Sequence, residues 1–163
     1  MSFDLVVQPC RYDGTMERRV NPFTKAPVEV PRNAPLSATE AKAVRAILDE
    51  AAGAGPDEHG RYVIRLVDGT RVDAFARELA AGCTFMVRAA GVSAPLAALL
   101  HAVLVAGNWV LLDEDHVVAP HPRCVETVLP QMGEVVVVRS SAELEAVLTG
   151  GTPAHRKLAA RAS

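Results

Sequence analysis

Aromatic residues are scarce in this chain: four Phe, two Tyr and one Trp make up 4% of 163 residues. Stacking on bases or sugar rings needs such side chains, so binding modes built on stacking are disfavoured, and Ala, Val and Leu must fill the core. Net charge is also small, -2, with a sequence pI near 6.2. Phosphate binding calls for a concentrated basic face. Only short basic clusters occur, Arg18-Arg19 and Arg156-Lys157 with Arg161, and no nucleic-acid partner is expected. Cysteines number three (Cys10, Cys83 and Cys124), odd and widely spaced. A disulfide scaffold is denser and even in count, so all three read as reduced thiols in a cytoplasm. The opening "MSFDLVVQPC" lacks the basic and apolar regions of a signal peptide. A long uninterrupted apolar run is missing too. The longest, Val92 to Leu112, is broken by Pro95, His101 and Gly107-Asn108. A membrane helix needs about 20 apolar residues in a row, so this stretch reads as a buried helix followed by a buried strand, and no membrane is expected.

Half of the residues are hydrophobic and 22% are charged, the balance of a chain that buries a core rather than staying disordered. Its length suits one domain, placed at residues 1–151, with residues 152–163 an exposed polar tail. Phe3, Leu5 and Val7 alternate with more polar neighbours, which predicts a first strand inside the sheet. "YDGT" at Tyr12 to Thr15 reads as a turn, and "MERRV" and "PVEVP" as two short strands around Asn21-Pro22. Pro27 and Pro31 make the second of these an edge, because proline donates nothing to a ladder. "SATE" (Ser37 to Glu40) is a capping box, followed by Ala41, Val44, Ile47, Leu48 and Ala51 on one helical face. "RYVIRLV" and "TRVDAFA" flank Asp68-Gly69, a hairpin signal of the two-residue type. "CTFMVRA" is a further strand. Ser93 and Pro95 open a second helix, "NWVLL" and "HVVAP" form a hairpin, and a short helix follows near Pro122 to Met132. Glu134 to Val138 is an apolar run suited to a central strand. Ser141 caps a last helix that ends at Gly150-Gly151. The order, hairpins first and alternating elements later, predicts an α+β fold: a mixed, mostly antiparallel sheet with three to four helices packed mainly on one face.

The segment "LLDEDHVVAPHPRC" (Leu111 to Cys124) gathers Asp113, Glu114, Asp115, His116, His121 and Cys124. His116, His121 and Cys124 are competent metal ligands. The spacing matches no paired pattern such as C-x2-C or H-x3-H, and strand alternation through Val117 and Val118 scatters the side chains over two faces. The acidic triplet sits where a hairpin turns, which is where solvated carboxylates ordinarily lie. His101 falls in an apolar helix, where core packing competes with a role beside a cysteine thiolate. No G-x-S-x-G elbow, phosphate-binding loop or dinucleotide fingerprint is present, and no cofactor is read from the chain. Glu143 and Glu145 sit where they suit a helix dipole.

The opening residues "MSFDLVV", followed by short hairpins, resemble the start of small bacterial proteins from polymorphic-toxin neighbourhoods, some of them immunity proteins. The resemblance spans those residues alone and implies a cytoplasmic α+β domain that binds another protein, a toxin among the options. That gives the leading expectation, a protein-binding module of immunity or accessory type acting by stoichiometric binding. Its contacts would come from Asp57, Glu58, Trp109, Asp113, Glu114 and Asp115, with Tyr12, Phe23 and Trp109 as anchors if exposed. One alternative is a small enzyme or ligand-binding protein with a pocket near His101, His116, His121 and Cys124. Another is a homodimer or larger homo-oligomer that pairs through the Pro27 to Pro31 edge.

Overall fold

In the computed structural model of the chain, residues 2–9, 12–21, 24–112, 116–123 and 134–150 are described. They form strands β1 (Phe3–Pro9), β2 (Tyr12–Val20) and β3 (Pro27–Asn33), then helix α1 (Ala38–Ala52). Strands β4 (Arg61–Arg65), β5 (Arg71–Phe75) and β6 (Cys83–Arg88) follow, then α2 (Ala94–Gly107). The described chain closes with β7 (Trp109–Leu112), β8 (His116–Ala119), β9 (Glu134–Val137) and α3 (Ser141–Leu148). Seven strands form one sheet in the order β4-β5-β6-β1-β7-β8-β9. Every neighbour is antiparallel except β8 and β9, which run parallel. The fold is α+β with a mixed sheet and, among the described residues, three helices. The short helix expected near Pro122 to Met132 and the tail at residues 152–163 lie essentially outside them.

The first strand sits at the centre of the sheet, as its alternation suggests. β1 pairs with β6 on one side and β7 on the other. Leu5 and Val7 point into the main core with Ile64, Val72, Phe85, Val87, Trp109 and Leu111. The three helices cover this face: Val44 and Leu48 come from α1, Leu96, Leu100, Val103 and Leu104 from α2, and Leu144 from α3. Each such side chain contributes about 1.5–3 kcal/mol when fully buried. α1 begins as the sequence indicates, with Ser37 Oγ accepting from Glu40 N at 3.1 Å and Glu40 Oε1 accepting from Ser37 N at 3.0 Å. On the opposite face a smaller cluster, Val110, Val117 and Ala119, packs with Leu112 and Val135.

Several local expectations change. With both edges of β1 occupied, the next two strands have no place beside it, and β2 and β3 form a separate two-stranded ribbon. Tyr12 to Thr15 is no turn but the irregular start of β2: the register slips between Tyr12 and Met16, with Gly14 at φ 88°. The β4–β5 connection is not a two-residue turn. Leu66 N donates to Thr70 O and Gly69 N to Leu66 O, both at 2.9 Å, and only Gly69 has positive φ. That is a three-residue loop ending in a left-handed glycine. Ser93 takes the N-cap position of α2 without a side-chain cap bond. α3 is capped by Ser140 rather than Ser141: Ser140 Oγ accepts from Glu143 N at 3.2 Å. β9 is an edge strand among the described residues, not a central one. Its valines still bury, because Val136 and Val138 meet the helix-side core and Val135 the opposite cluster.

The α2–β7 junction is tight. Asn108 takes the left-handed conformation (φ 47°, ψ 44°) that ends the helix, and Gly107 lies against the Trp109 indole. A methyl at Gly107 would come within 3.0 Å of the ring and 3.2 Å of Val44. Gly107→Ala therefore sets a helix-propensity gain of about 1 kcal/mol against overpacking that costs about 1–3 kcal/mol. Urea denaturation is expected to show a net loss of stability for this variant; a gain would mean that α2 and Trp109 separate at little cost.

Candidate interaction surface

Of the segment Leu111 to Cys124, residues 111–112 and 116–123 are among those described. His116 opens β8, and His121 lies in the bend two residues past its end. Asp113, Glu114, Asp115 and Cys124 lie outside the described residues, as do Cys10 and Phe23 and the side chain of Tyr12. Among the described residues no three His, Cys, Asp or Glu side chains gather as a metal-binding group. His121 instead joins a polar relay. Glu40 Oε2 accepts from Asn108 Nδ2 at 2.7 Å, and Asn108 Oδ1 lies 2.9 Å from His121 Nε2. With the amide nitrogen donating to Glu40, the amide oxygen must accept, so Nε2 carries the imidazole proton. The relay ties the start of α1, the end of α2 and the bend that follows β8.

The other expected positions divide. Trp109 is fully buried in the core, so it anchors the fold and offers nothing to a partner. Asp57 is occupied within its own loop. Its Oδ1 accepts from His59 N at 2.9 Å and Arg61 N at 3.0 Å, and its Oδ2 accepts from Arg61 Nε at 3.1 Å. The Arg61 backbone N–H is the first cause holding this carboxyl below its ordinary 3.8. Glu58 stays exposed beside His59. Cys83 is buried in β6, and burial pushes its thiol up to about 12. It is thus protonated at neutral pH and a poor nucleophile. The ring nitrogen Nε2 of His101 is buried without a hydrogen-bond partner among the described residues.

A surface that sequence reading missed lies on the sheet face away from the helices. Directly opposed residues share a face, and the register strings one row across all seven strands: Arg61, Phe75, Thr84, Val6, Leu112, Val117 and Val135. At the β7–β9 end this row is covered, with Val117 fully buried. At the β4–β1 end it is open: Phe75 is 40% exposed, Val6 38%, and Val63 in the next row 37%. A groove of about 430 Å³ runs along it, lined by Val6, Gln8, Phe75 and Thr84 with Arg77 and Glu78 from the β5–β6 connection.

Two rows further along lie Arg65, Arg71 and Arg88, neighbours on adjacent strands. Like charges directly opposite cost stability. Asp73, only 1% exposed, offsets part of this cost. Its Oδ1 accepts from Arg71 Nε at 3.1 Å, and its Oδ2 faces Arg71 Nη2 and Arg88 Nη2, each at 3.5 Å. Arg65 makes no ion pair among the described residues. The open half of the sheet thus presents apolar side chains beside a guanidinium row that one carboxylate neutralises only in part. The signal was present in "RYVIR" and "RVDAF", once residues 65 and 71 are paired across the loop.

No protein-family description, curated protein or solved structure matches the chain. Among the described residues no helix is long and apolar enough to cross a membrane.

Two measurements test these assignments. Asp57 has a lowered folded pKa, so its contribution is present above the unfolded value near 3.8 and is lost as pH falls through the lower folded value. Thermal unfolding of Asp57→Ala and wild type, followed from about pH 7 to about pH 2, should show a deficit for the variant at neutral pH that closes in acid. A deficit that is constant with pH would contradict the charge-based account. Peptide mapping after iodoacetamide treatment should find Cys83 unmodified in the native protein and modified after unfolding. Rapid native labelling at Cys83 would overturn its assignment as a buried, protonated core residue.

Proposed function

We propose that this chain is a protein-binding module, cytoplasmic and of immunity or accessory type, that acts by stoichiometric binding through the open half of its sheet. The observation that carries the reading is the exposed row Phe75–Thr84–Val6, with Val63 beside it and the arginine row about 13 Å away along the strands (four residues at 3.3 Å each). Exposed apolar side chains rimmed by arginines make a surface suited to protein contact, where aromatic and arginine side chains carry much of the binding energy. The partner chemistry that complements it is an apolar anchor next to carboxylates. Of the positions expected to bind, Glu58 is exposed, whereas Asp57 is held by its own loop and Trp109 by the core.

Co-purification from the native host under gentle conditions tests the reading. The wild-type chain should retain a stoichiometric partner, Phe75→Glu and Val6→Glu should each lose it by tenfold or more (about 1.4 kcal/mol per tenfold), and Glu58→Lys should keep most of it. Repeated recovery of the wild-type chain alone would count against a binding module. A partner retained equally by all three variants would place the contact elsewhere.

A further inference from the structure

The β2–β3 ribbon has two unlike faces. Strand alternation puts Glu17 and Arg19 of β2 on one side, with Val28, Val30 and Arg32 of β3. This side looks back at the body of the protein, where Glu17, Arg19 and Arg32 line a groove of about 490 Å³ with Gln8, Pro9, Ala34, Pro35 and Ala80. Met16, Arg18 and Val20 of β2, with Pro27 and Glu29 of β3, form the other side, which points away. It is open: Met16 is 50% exposed, Val20 65%, and Arg18, Pro27 and Glu29 are exposed as well. A two-stranded ribbon is at best marginally stable in water without something packed on it, and apolar side chains left this exposed gain from being covered.

The pattern on the outward side indicates what covers it. Arg18 lies directly opposite Glu29 in the ribbon, and Val20 opposite Pro27. Although they are cross-strand neighbours, neither Arg18 nor Glu29 makes an ion pair among the described residues. An isologous contact needs a patch that complements itself, so that each residue meets its counterpart's neighbour. A two-fold axis along the ribbon, between its strands, meets that condition. It keeps position along the strands and exchanges β2 with β3. Arg18 then faces the partner subunit's Glu29, and Glu29 the partner subunit's Arg18, while Val20 packs on the partner subunit's Pro27. An axis across the ribbon would instead set arginine on arginine and glutamate on glutamate.

We infer that the outward side of the β2–β3 ribbon is a homodimer contact in which a second copy of this chain supplies the cover and two reciprocal Arg18–Glu29 pairs set the register. The contact lies on a different element from the open half of the sheet, so it stands apart from the binding reading above. A face this small gives a weak, concentration-dependent dimer.

Sedimentation equilibrium of the full chain from about 10 µM to about 1 mM tests the inference. Wild type should shift from monomer to dimer over this range. Arg18→Glu alone and Glu29→Arg alone place like charges across the axis, and each should weaken dimerisation about tenfold or more. An equimolar mixture of the two single variants restores both pairs and should form a heterodimer near wild-type affinity. The double variant Arg18→Glu/Glu29→Arg should self-associate as wild type does. The mixture also guards against misfolding, since a variant with a collapsed ribbon could not be rescued by its complement. A wild type that stays monomeric throughout overturns the inference and leaves the face for another protein. A dimer that persists unweakened in both single variants overturns it too, because association then uses another surface.

Discussion

The double-sided pairing of β1 is the constraint on which the rest of the structure depends. One seven-residue strand carries the ladder bonds to both β6 and β7, so it joins the β4-β5-β6 meander to the β7-β8-β9 end. Without it the two groups would not share one sheet. The pairing is long-range in sequence, and its loop-closure cost is repaid by Leu5 and Val7 packing under the helices with Phe85, Trp109 and Leu111. The same occupancy explains the ribbon. With no free edge on β1, the chain that follows cannot pair beside it; β2 and β3 pair with each other and carry exposed apolar and charged side chains away from the main core.

Register is the second organising constraint, and it comes from a loop. A two-residue turn at Asp68-Gly69 would set Arg65 against Val72 and place charged side chains on the helix face. A one-residue slip exchanges the faces of a strand. The observed loop, Val67 to Gly69, instead pairs Arg65 with Arg71 and Ile64 with Val72. Tyr62, Ile64, Val72 and Ala74 all turn to the core, and the arginines gather on the opposite face. Asp73 then makes the arrangement tolerable, since its buried carboxylate draws two guanidiniums together. The fold and the candidate surface therefore follow from the same three residues of loop.

Polar side chains that looked like chemistry from their spacing mostly serve local structure. Asp57 closes the loop before β4, as carboxylates in turns commonly do. His121 closes a relay through Asn108 to Glu40, the same glutamate that completes the capping box of α1. Cys83 fills the core. Each is a residue type with catalytic or ligating capacity, held where hydrogen bonding or burial already accounts for it.

The sequence by itself determined much of the secondary structure, because the forces there are local. The Ser37–Glu40 box, the 3.6-residue period of α1, the Gly107-Asn108 stop of α2 and the alternation of Phe3, Leu5 and Val7 act between residues a few positions apart. It also determined the α+β class, since the order of elements restricts how strands and helices can layer. Tertiary structure decided what depends on which residues become neighbours across the sheet. It buried Trp109 rather than exposing it, set the apolar run of β9 at an edge among the described residues, moved β2 and β3 out of the sheet, and aligned Arg65, Arg71 and Arg88 from three strands. The candidate surface belongs to this second group because its residues are scattered from Val6 to Arg88. Only strand order and register bring them to one face, and no local period records either.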